Sequence, residues 1–308
     1  MKLQPFKGRC RQLARNASRR FTWAIFGLVS SVTFAADVPK LPPLSTVSDS
    51  PRLSGKFVWA DLVTDNVTVA QQFYSRLFGW TFAGYGDYLV AANDERPLCG
   101  MFQRPRPADR TDARPRWFGY ISVPDVARAQ RTITKSGGRV LAAPRKLPGR
   151  GEQAVFADPE GAVFGVVKSS SGDPPDFLAE PGDWIWVELM SRDARKAGAY
   201  YRAVAGYEVV ENDTSARPDD FVFVSKGYAR AAALTIPGDR PQLQPTWLLF
   251  VRVKSVSECV AQVGGLGGKV LLAPNERIFG GKLALIADPT GAEVGVVEWS
   301  DELLKGGR

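Results

Sequence analysis

The chain has 308 residues, of which 44% are apolar and 11% aromatic, a length typical of two domains and a composition that excludes intrinsic disorder. Its net charge of +8 comes almost entirely from the first 36 residues, which hold seven basic residues and no acidic one. The remaining 33 basic residues face 32 acidic ones, so the rest of the chain lacks the positive excess that a nucleic-acid binder needs. We therefore expect no nucleic-acid partner.

The first 36 residues are predicted to be a signal peptide. A basic stretch ends at Arg20, 16 uncharged and mainly apolar residues follow, and Asp37 restores polarity. Sixteen residues in a helix reach about 24 Å, which is short of the roughly 30 Å hydrocarbon core of a bilayer. Small residues suit cleavage after Ala35 or Ala36. We expect an exported, periplasmic protein that has no membrane attachment once the leader is removed, and the basic run before Phe21 partly matches a twin-arginine signal.

The rest of the chain contains an internal repeat. The segment FVWADL at 57–62 corresponds to WIWVEL at 184–189, an offset of 127 residues. Later in each copy the offset becomes 130, which aligns Trp117 with Trp247 and the tripeptide ADP at 157–159 with the one at 287–289. A repeat of this length indicates two copies of one folded module.

The repeat divides the chain into modules and connecting segments. The predicted boundaries are a signal peptide at 1–36, a linker at 37–54, a first module at 55–168, a linker at 169–181, a second module at 182–299 and a tail at 300–308. Both linkers are rich in Pro and Ser, and we expect them to bury too little apolar surface to become ordered.

Each module is predicted to fold as two similar halves, each consisting of a strand, a helix and two or three further strands. The first helix has its apolar residues on one face and ends at Gly79. In the first module we predict strands at 56–63, 88–92, 98–102, 118–123, 140–142, 153–157 and 163–168, with helices at 67–78 and 126–135. Asn66 and Asp193 are expected to cap helices, and the Asp-Pro turns at 158 and 288 are expected to be structural.

Several motifs recur in this order: WADL, FY, LFGW, WFGYISVPDV, GG and ADPEGAVFG in the first module, and WVEL, YY, AGY, WLLFVRVKSV, GG and ADPTGAEVG in the second. As an ordered set they resemble the vicinal-oxygen-chelate family, which includes glyoxalases, bleomycin-resistance proteins and ring-cleaving dioxygenases. The resemblance implies an α+β fold, in which tandem βαβββ modules form two cupped mixed β-sheets with helices on the outer face. Each cup would hold a ligand or a metal.

Enzymes of this family commonly hold a divalent metal with His and Glu residues from the strands that line the cup. Counting from the shared landmarks places these positions at Trp59, Phe118 and Gly165, and at Trp186, Leu248 and Gly295, with a fourth position within 98–102. None of the six residues can bind a metal, and the chain has no histidine. Zinc and Fe(II) sites of this type depend on imidazole, so we expect no metal of this kind and no cofactor. A carboxylate site for Mg²⁺ or Mn²⁺ stays open.

Two carboxylates are the candidates for catalysis. Asp61 and Glu188 each lie two residues after a cup-facing tryptophan, and residues two apart in a strand share a face. A carboxylate beside an indole in a partly closed cup can have a raised pKa and act as a general base. The alternative is a structural carboxylate, either paired with an arginine or solvated at the rim.

Five aromatic residues are the candidates for ligand binding: Trp59, Phe118, Tyr120, Trp186 and Trp247. Core packing explains them equally well, because a buried aromatic side chain contributes roughly 4–6 kcal/mol. After removal of the leader two cysteines are left, Cys99 and Cys259, and either a disulfide or two small buried residues fits them.

The sequence leaves three functions open. The first is an exported, metal-free member of this family that binds a small apolar or aromatic molecule. The second is an enzyme of lyase, isomerase or dioxygenase type that uses Asp61 or Glu188 with an oxygen-ligated Mg²⁺ or Mn²⁺. The third is a scaffold that binds another protein, and association into a homo-oligomer is compatible with all three.

Overall fold

The computed structural model describes residues 40–47, 50–104, 114–211 and 220–300. The predicted signal peptide and residues 301–308 of the predicted tail lie outside the described residues. Within the described ranges, no helix is both long and apolar enough to cross a membrane. The two modules belong to one compact unit of the chain.

The described part of the first module forms one mixed sheet and two helices. Its elements are β1 (Phe57–Thr64), α1 (Val67–Phe78), β2 (Thr81–Tyr85), β3 (Tyr88–Asn93), β4 (Arg96–Gln103), β5 (Arg116–Ser122), α2 (Val126–Lys135), β6 (Arg139–Leu147), β7 (Gly151–Ala157) and β8 (Val163–Ser169). The strands pair in the order β2-β3-β4-β1-β5-β8-β7-β6. The antiparallel pair β1–β5 joins the two βαβββ halves at the centre of the sheet, and β1 and β5 pair in parallel with β4 and β8.

The described residues of the second module repeat this arrangement. Its elements are β9 (Trp184–Ser191), α3 (Ala194–Ala205), β10 (Glu208–Glu211), β11 (Phe221–Ser225), β12 (Tyr228–Thr235), β13 (Thr246–Arg252), α4 (Val256–Val263), β14 (Lys269–Leu272), β15 (Leu283–Ala287) and β16 (Glu293–Val297). They pair as β10-β11-β12-β9-β13-β16-β15-β14. The tandem α+β fold with two mixed sheets is therefore confirmed.

Local sequence signals set the ends of the helices. The side chains of Asn66 and Asp193 accept the backbone N–H groups of Val69 and Lys196 at 3.1 and 3.0 Å, which confirms them as N-caps. Gly79 ends α1 in the left-handed conformation, with φ of 76°, a conformation that glycine adopts without steric cost.

The helix sides of both sheets share one hydrophobic core, which contains residues of both modules. Tyr201 of α3 lies at its centre, where its hydroxyl accepts the indole N–H of Trp247 at 2.8 Å and donates to the carboxylate of Asp158 in the first module at 3.0 Å. The turn at Asp158 therefore also links the modules. The face of each sheet that carries the helices is therefore packed in the shared core, and the opposite face of each sheet forms a cup.

The two segments predicted to be unordered linkers are ordered where they are described, so that expectation was wrong. Leu41 and Leu44 are buried in the first segment, and Asp173 and Asp183 are buried in or beside the second. Asp183 accepts hydrogen bonds from Asn93 at 2.9 Å and from Arg96. Composition suggested little apolar burial, but paired buried carboxylates supply much of the order here.

Cys99 and Cys259 are both buried and free. Burial of Cys99 among the core residues raises the pKa of its thiol well above the usual value, which is the behaviour of an inert, apolar cysteine. The reading of the two residues as small buried side chains therefore holds.

Candidate functional site

The first cup is the face of the first sheet that lies opposite the helices, and its own side chains fill it. Trp59, Phe118 and Tyr120 are buried there, as the sequence predicted for cup-facing positions, together with Val90. Leu44, from the segment before β1, packs against the same cluster. The chain thus supplies apolar groups where a ligand would otherwise lie.

Asp61 lies at the base of the first cup and is only 2% exposed. Its Oδ1 accepts hydrogen bonds from the Trp59 indole at 2.9 Å and the Tyr88 hydroxyl at 2.5 Å, and its Oδ2 accepts one from the Tyr120 hydroxyl at 2.9 Å. Burial raises the pKa of Asp61, whereas these hydrogen bonds and the nearby charge of Arg150 act to lower it.

A buried arginine completes the first cup. Arg150 is 1% exposed, and its guanidinium carbon lies 3.9 Å from the centre of the Trp59 ring, in a cation–π contact. Its Nε donates to the carbonyl oxygen of Pro42 at 3.1 Å. Arg150 therefore fastens the segment 40–47 across the cup and brings a positive charge close to Asp61.

The second cup is the corresponding face of the second sheet. Leu248, Phe250 and Val297 form its buried floor. Around this floor lie side chains that are only partly buried: Ile185, Trp186, Met190, Leu283, Leu285 and Trp299. The second cup is thus apolar and aromatic like the first, but its tryptophan Trp186 is only partly buried, whereas Trp59 of the first cup is buried.

Glu188 lies in the second cup at the position of Asp61 and is partly buried. Its pKa is raised to about 7, first because burial penalises the charged form and also because the negative charge of Asp220 lies near; a hydrogen bond from Trp186 opposes both effects. A carboxylate with this pKa is poised between its protonated and ionised forms at neutral pH.

The sheet registers show why Asp220 faces Glu188. Asp61 pairs with Gly100 and Gly100 with Val90, while Glu188 pairs with Ala232 and Ala232 with Val222. Tyr88 lies two residues before Val90, and Asp220 lies two residues before Val222. Asp220 therefore occupies the position in the second module that Tyr88 occupies in the first. A hydroxyl that donates to the carboxylate in the first cup is replaced by a second carboxylate in the other.

Aromatic rings crowd two of the positions at which the resemblance places metal ligands. A Cβ atom on Gly165 would lie 2.2 Å from the Tyr120 ring, and one on Gly295 would lie 2.2 Å from the Phe250 ring. Within 98–102, where the sequence left the fourth position, a Cβ atom on Gly100 would meet the Tyr88 hydroxyl. Among the described residues no cluster of three or more His, Cys, Asp or Glu side chains is arranged to hold a metal ion.

Trp247 does not line a cup, and its inclusion among the cup residues was wrong. It belongs to the core between the modules, where its ring lies 5.0 Å from those of Tyr201 and Phe57. Alternation explains the error, because Trp247 precedes the cup residue Leu248 in β13 and so points to the other face of the sheet. Trp186, by contrast, lies in the second cup.

Sequence reasoning missed several cup residues, namely Tyr88, Arg150, Gln153, Asp220 and Trp299. Gln153 donates to the Tyr120 hydroxyl at 3.2 Å and so extends the network around Asp61. Arg150 stands in a Pro-Gly-Arg-Gly segment that is typical of an exposed turn, so no local signal indicates its burial. The place of Asp220 in the cup can be inferred only once the register of β11 against β12 is known.

Comparisons with known proteins agree with this geometry. Residues 56–166 match the family described as the Glyoxalase/Bleomycin resistance protein/Dioxygenase superfamily, and residues 185–297 match the Glyoxalase-like domain. The chain belongs to the glyoxalase, bleomycin-resistance and dioxygenase superfamily. It is a tandem member, with one domain of the superfamily in each module.

Curated relatives of this superfamily member span nearly its whole folded part. The chain is 29% identical over 259 residues to the anthracycline biosynthesis protein DauV of a Streptomyces species, covering 79% of this chain and 93% of the relative. It is 26% identical over 246 residues to the putative glyoxylase CFP32 of Mycobacterium bovis, covering 78% and 93%.

Two solved structures show the same fold. The Mn(II)-bound glyoxalase from Novosphingobium aromaticivorans superposes with a TM-score of 0.54 at 16% identity, covering 80% of this chain and 82% of that one. A variant of homoprotocatechuate 2,3-dioxygenase from B. fuscum superposes with a TM-score of 0.56 at 14% identity, covering 85% and 74%. At these identities the likeness extends to the fold alone.

Proposed function

We propose that this protein is an exported, metal-free member of the superfamily that binds a small apolar or aromatic molecule in the cup of its second module. The observation that carries the proposal is the difference between two cups of one design. In the first, Asp61 receives hydrogen bonds from Trp59, Tyr88 and Tyr120, and Leu44 packs against the cluster. In the second, Trp186, Glu188 and Trp299 keep contact with solvent.

A partly open apolar cup with one poised polar group has the composition expected of a small-molecule site. Such sites are mostly lined by apolar and aromatic side chains, with few polar groups that orient the ligand. Trp186, Met190 and Leu285 supply the former and Glu188 the latter. The relatives described as an anthracycline biosynthesis protein and a putative glyoxylase are consistent with a small molecule as the ligand.

The metal-free part of the proposal rests on the donor groups. The chain has no histidine, and aromatic rings occupy the space above Gly165 and Gly295. In the first cup the oxygens of Asp61 are already hydrogen-bonded. In the second cup Asp220 lies near enough to Glu188 to raise its pKa, but its Oδ1 accepts the backbone N–H of Thr235 at 2.9 Å. Two carboxylates supply fewer than the six or so oxygen ligands that Mg²⁺ or Ca²⁺ takes, so most of a cation's ligands would have to come from elsewhere.

Calorimetric titration tests the binding proposal. The titration uses three probes that share a naphthalene ring and differ in the charge of the attached group: neutral 2-naphthylmethanol, cationic 2-naphthylmethylammonium and anionic 2-naphthoate. We expect saturable binding of at least one probe to the wild type, weakened about tenfold or more in Trp186→Ala, because the ligand loses an aromatic wall. Leu141→Ala, which changes an exposed residue of the first module, serves as the matched control and should bind normally. Failure of all three probes to bind would contradict the proposal.

Two further measurements test the remaining parts. Elemental analysis of the purified protein should find no stoichiometric metal, and a metal that is lost on Asp61→Ala or Glu188→Ala would favour the metal-dependent enzyme instead.

Sequencing the N-terminus of the exported protein should give a start at Ala36 or Asp37, whereas a start at Met1 would contradict cleavage of the leader.

One observation favours a second candidate function, proton abstraction by Glu188. A general base is most effective when its pKa lies near the working pH, and the pKa of Glu188 is about 7. If Glu188 acts in this way, the wild type should accelerate exchange of the α-protons of an aryl ketone with D₂O, measured by NMR, and Glu188→Gln should not. Equal exchange rates with the two proteins would remove this candidate.

A further inference from the structure

The first cup already contains a cation over its tryptophan. The guanidinium of Arg150 lies 3.9 Å from the centre of the Trp59 ring, and its charge is among the influences that lower the pKa of Asp61. A cation over an indole face gains from the ring quadrupole, and more so when it is desolvated. The first cup thus shows a complete arrangement of ring, carboxylate and cation inside one protein chain.

The internal repeat identifies the counterpart of Arg150. Gln153 of β7 pairs with Val167, and Leu283 of β15 pairs with Val297, so these strands correspond with the offset of 130 residues. Arg150, three residues before Gln153, therefore corresponds to Gly280, which has no side chain. Gly280 lies in an exposed turn with a φ of 57°.

The second cup keeps the other two members of the arrangement. Trp186 and Glu188 have the spacing of Trp59 and Asp61, and Glu188 accepts a hydrogen bond from Trp186, as Asp61 does from Trp59. Among the described residues, the groups that shift the pKa of Glu188 include no cation, and Asp220 adds a negative influence. The described residues of this cup therefore provide a ring and a carboxylate but leave the position of the cation to another molecule.

We propose that the second cup takes a ligand with a cationic group, such as a protonated amine or an amidinium, joined to an aromatic or apolar body. The cation lies over Trp186 and beside Glu188, in the place that Arg150 takes in the first cup. This inference rests on the proposed binding function and names the chemical class of the ligand.

The surroundings of the cup suit both parts of such a ligand. Phe279 is 45% exposed and stacks on Trp299 with ring centres 5.3 Å apart, directly beside Gly280. These two rings offer apolar surface to the body of the ligand. They lie beside Gly280, the residue that corresponds to Arg150 of the first module. An anionic ligand would instead meet Glu188 and the negative field of Asp220.

The three naphthyl probes separate this inference from the binding function. At pH 8, above the pKa of Glu188, the ammonium probe should bind about tenfold or more tightly than the alcohol, and the carboxylate should bind most weakly. Glu188→Gln should reduce the preference for the ammonium to about threefold or less while binding of the alcohol persists. If the alcohol binds the wild type as tightly as the ammonium, or if the preference survives in Glu188→Gln, the inference is wrong and the binding function stands. If no probe binds, both fall.

A second variant tests the correspondence with the first cup. Gly280→Arg supplies the missing internal cation and should weaken binding of the ammonium probe at least about tenfold. Gly280→Gln is the matched control, because it adds a long side chain at the same backbone conformation without a charge. We expect Gly280→Gln to bind the ammonium more tightly than Gly280→Arg does, and equal loss in the two variants would contradict the proposed place of the cation.

Discussion

Replacement of Asp61 by leucine should destabilise the fold severely, whereas the same change at Glu188 should not. Asp61→Leu leaves the hydroxyls of Tyr88 and Tyr120 without an acceptor, and the Trp59 indole keeps only its 2.9 Å hydrogen bond to the Tyr88 oxygen. An unsatisfied buried polar group costs about 1–3 kcal/mol. Removal of a buried charge offsets part of this cost, so we expect a loss of about 3–5 kcal/mol in the free energy of unfolding.

The comparison with the second cup makes this expectation specific. Burial raises the pKa of Glu188, so its ionised form is disfavoured in the folded protein, and Glu188→Leu should not lower the free energy of unfolding at pH 7.5. Urea unfolding followed by tryptophan fluorescence at pH 7.5 measures both values. A loss below about 1 kcal/mol for Asp61→Leu, or equal losses for the two variants, would refute the reasoning that the first cup is a satisfied structural cluster.

Three more predictions follow from individual contacts. Because the pKa of Glu188 is raised from 4.5 to about 7, the folded protein holds an extra proton between these two pH values. Relative to Glu188→Gln, the wild type should therefore lose stability as pH rises through this window. A difference between the urea midpoints of the two proteins that stays constant with pH would contradict this. Tyr201→Phe removes the hydroxyl that bonds Trp247 and Asp158 and should cost about 1–3 kcal/mol in urea unfolding, whereas the exposed Tyr228→Phe should cost nearly nothing. Gly165→Ala places a Cβ 2.2 Å from the Tyr120 ring and should lower the thermal midpoint by several degrees, in contrast to Gly264→Ala, whose Cβ meets no atom within 4 Å.

Much of the fold follows from the sequence because the repeat and the alternation of apolar residues are strong signals. The helix predicted at 67–78 is the helix found at Val67–Phe78, and the strand predicted at 118–123 overlaps Arg116–Ser122. The strand Thr81–Tyr85 was missed, since its pattern is mostly exposed and an edge strand depends on its neighbour more than on its own side chains.

The order of the connecting segments could not be predicted from composition. Their stability depends on contacts with residues more than 50 positions away in sequence, such as the pair Arg96–Asp183 and the hydrogen bond from Ser122 to Asp173 at 2.5 Å. Local patterns carry no information about such partners, because the partners meet only after the sheets have formed.

The candidate site was predictable in part. The spacing of two residues placed Trp59 with Asp61 and Trp186 with Glu188 on the cup faces, because the strand period is two. The difference between the cups was not predictable, since it depends on Arg150, which lies in a turn, and on Leu44, which lies before the first strand. Both reach the cup through tertiary structure alone.

The most direct test of the account is a crystal structure of the protein with 2-naphthylmethylammonium bound. We predict one probe molecule per chain, with its ammonium group over Trp186 and beside Glu188, while Arg150 stays on Trp59. A probe seated on Trp59 in place of Arg150, or a coordinated metal ion in either cup, would contradict the account.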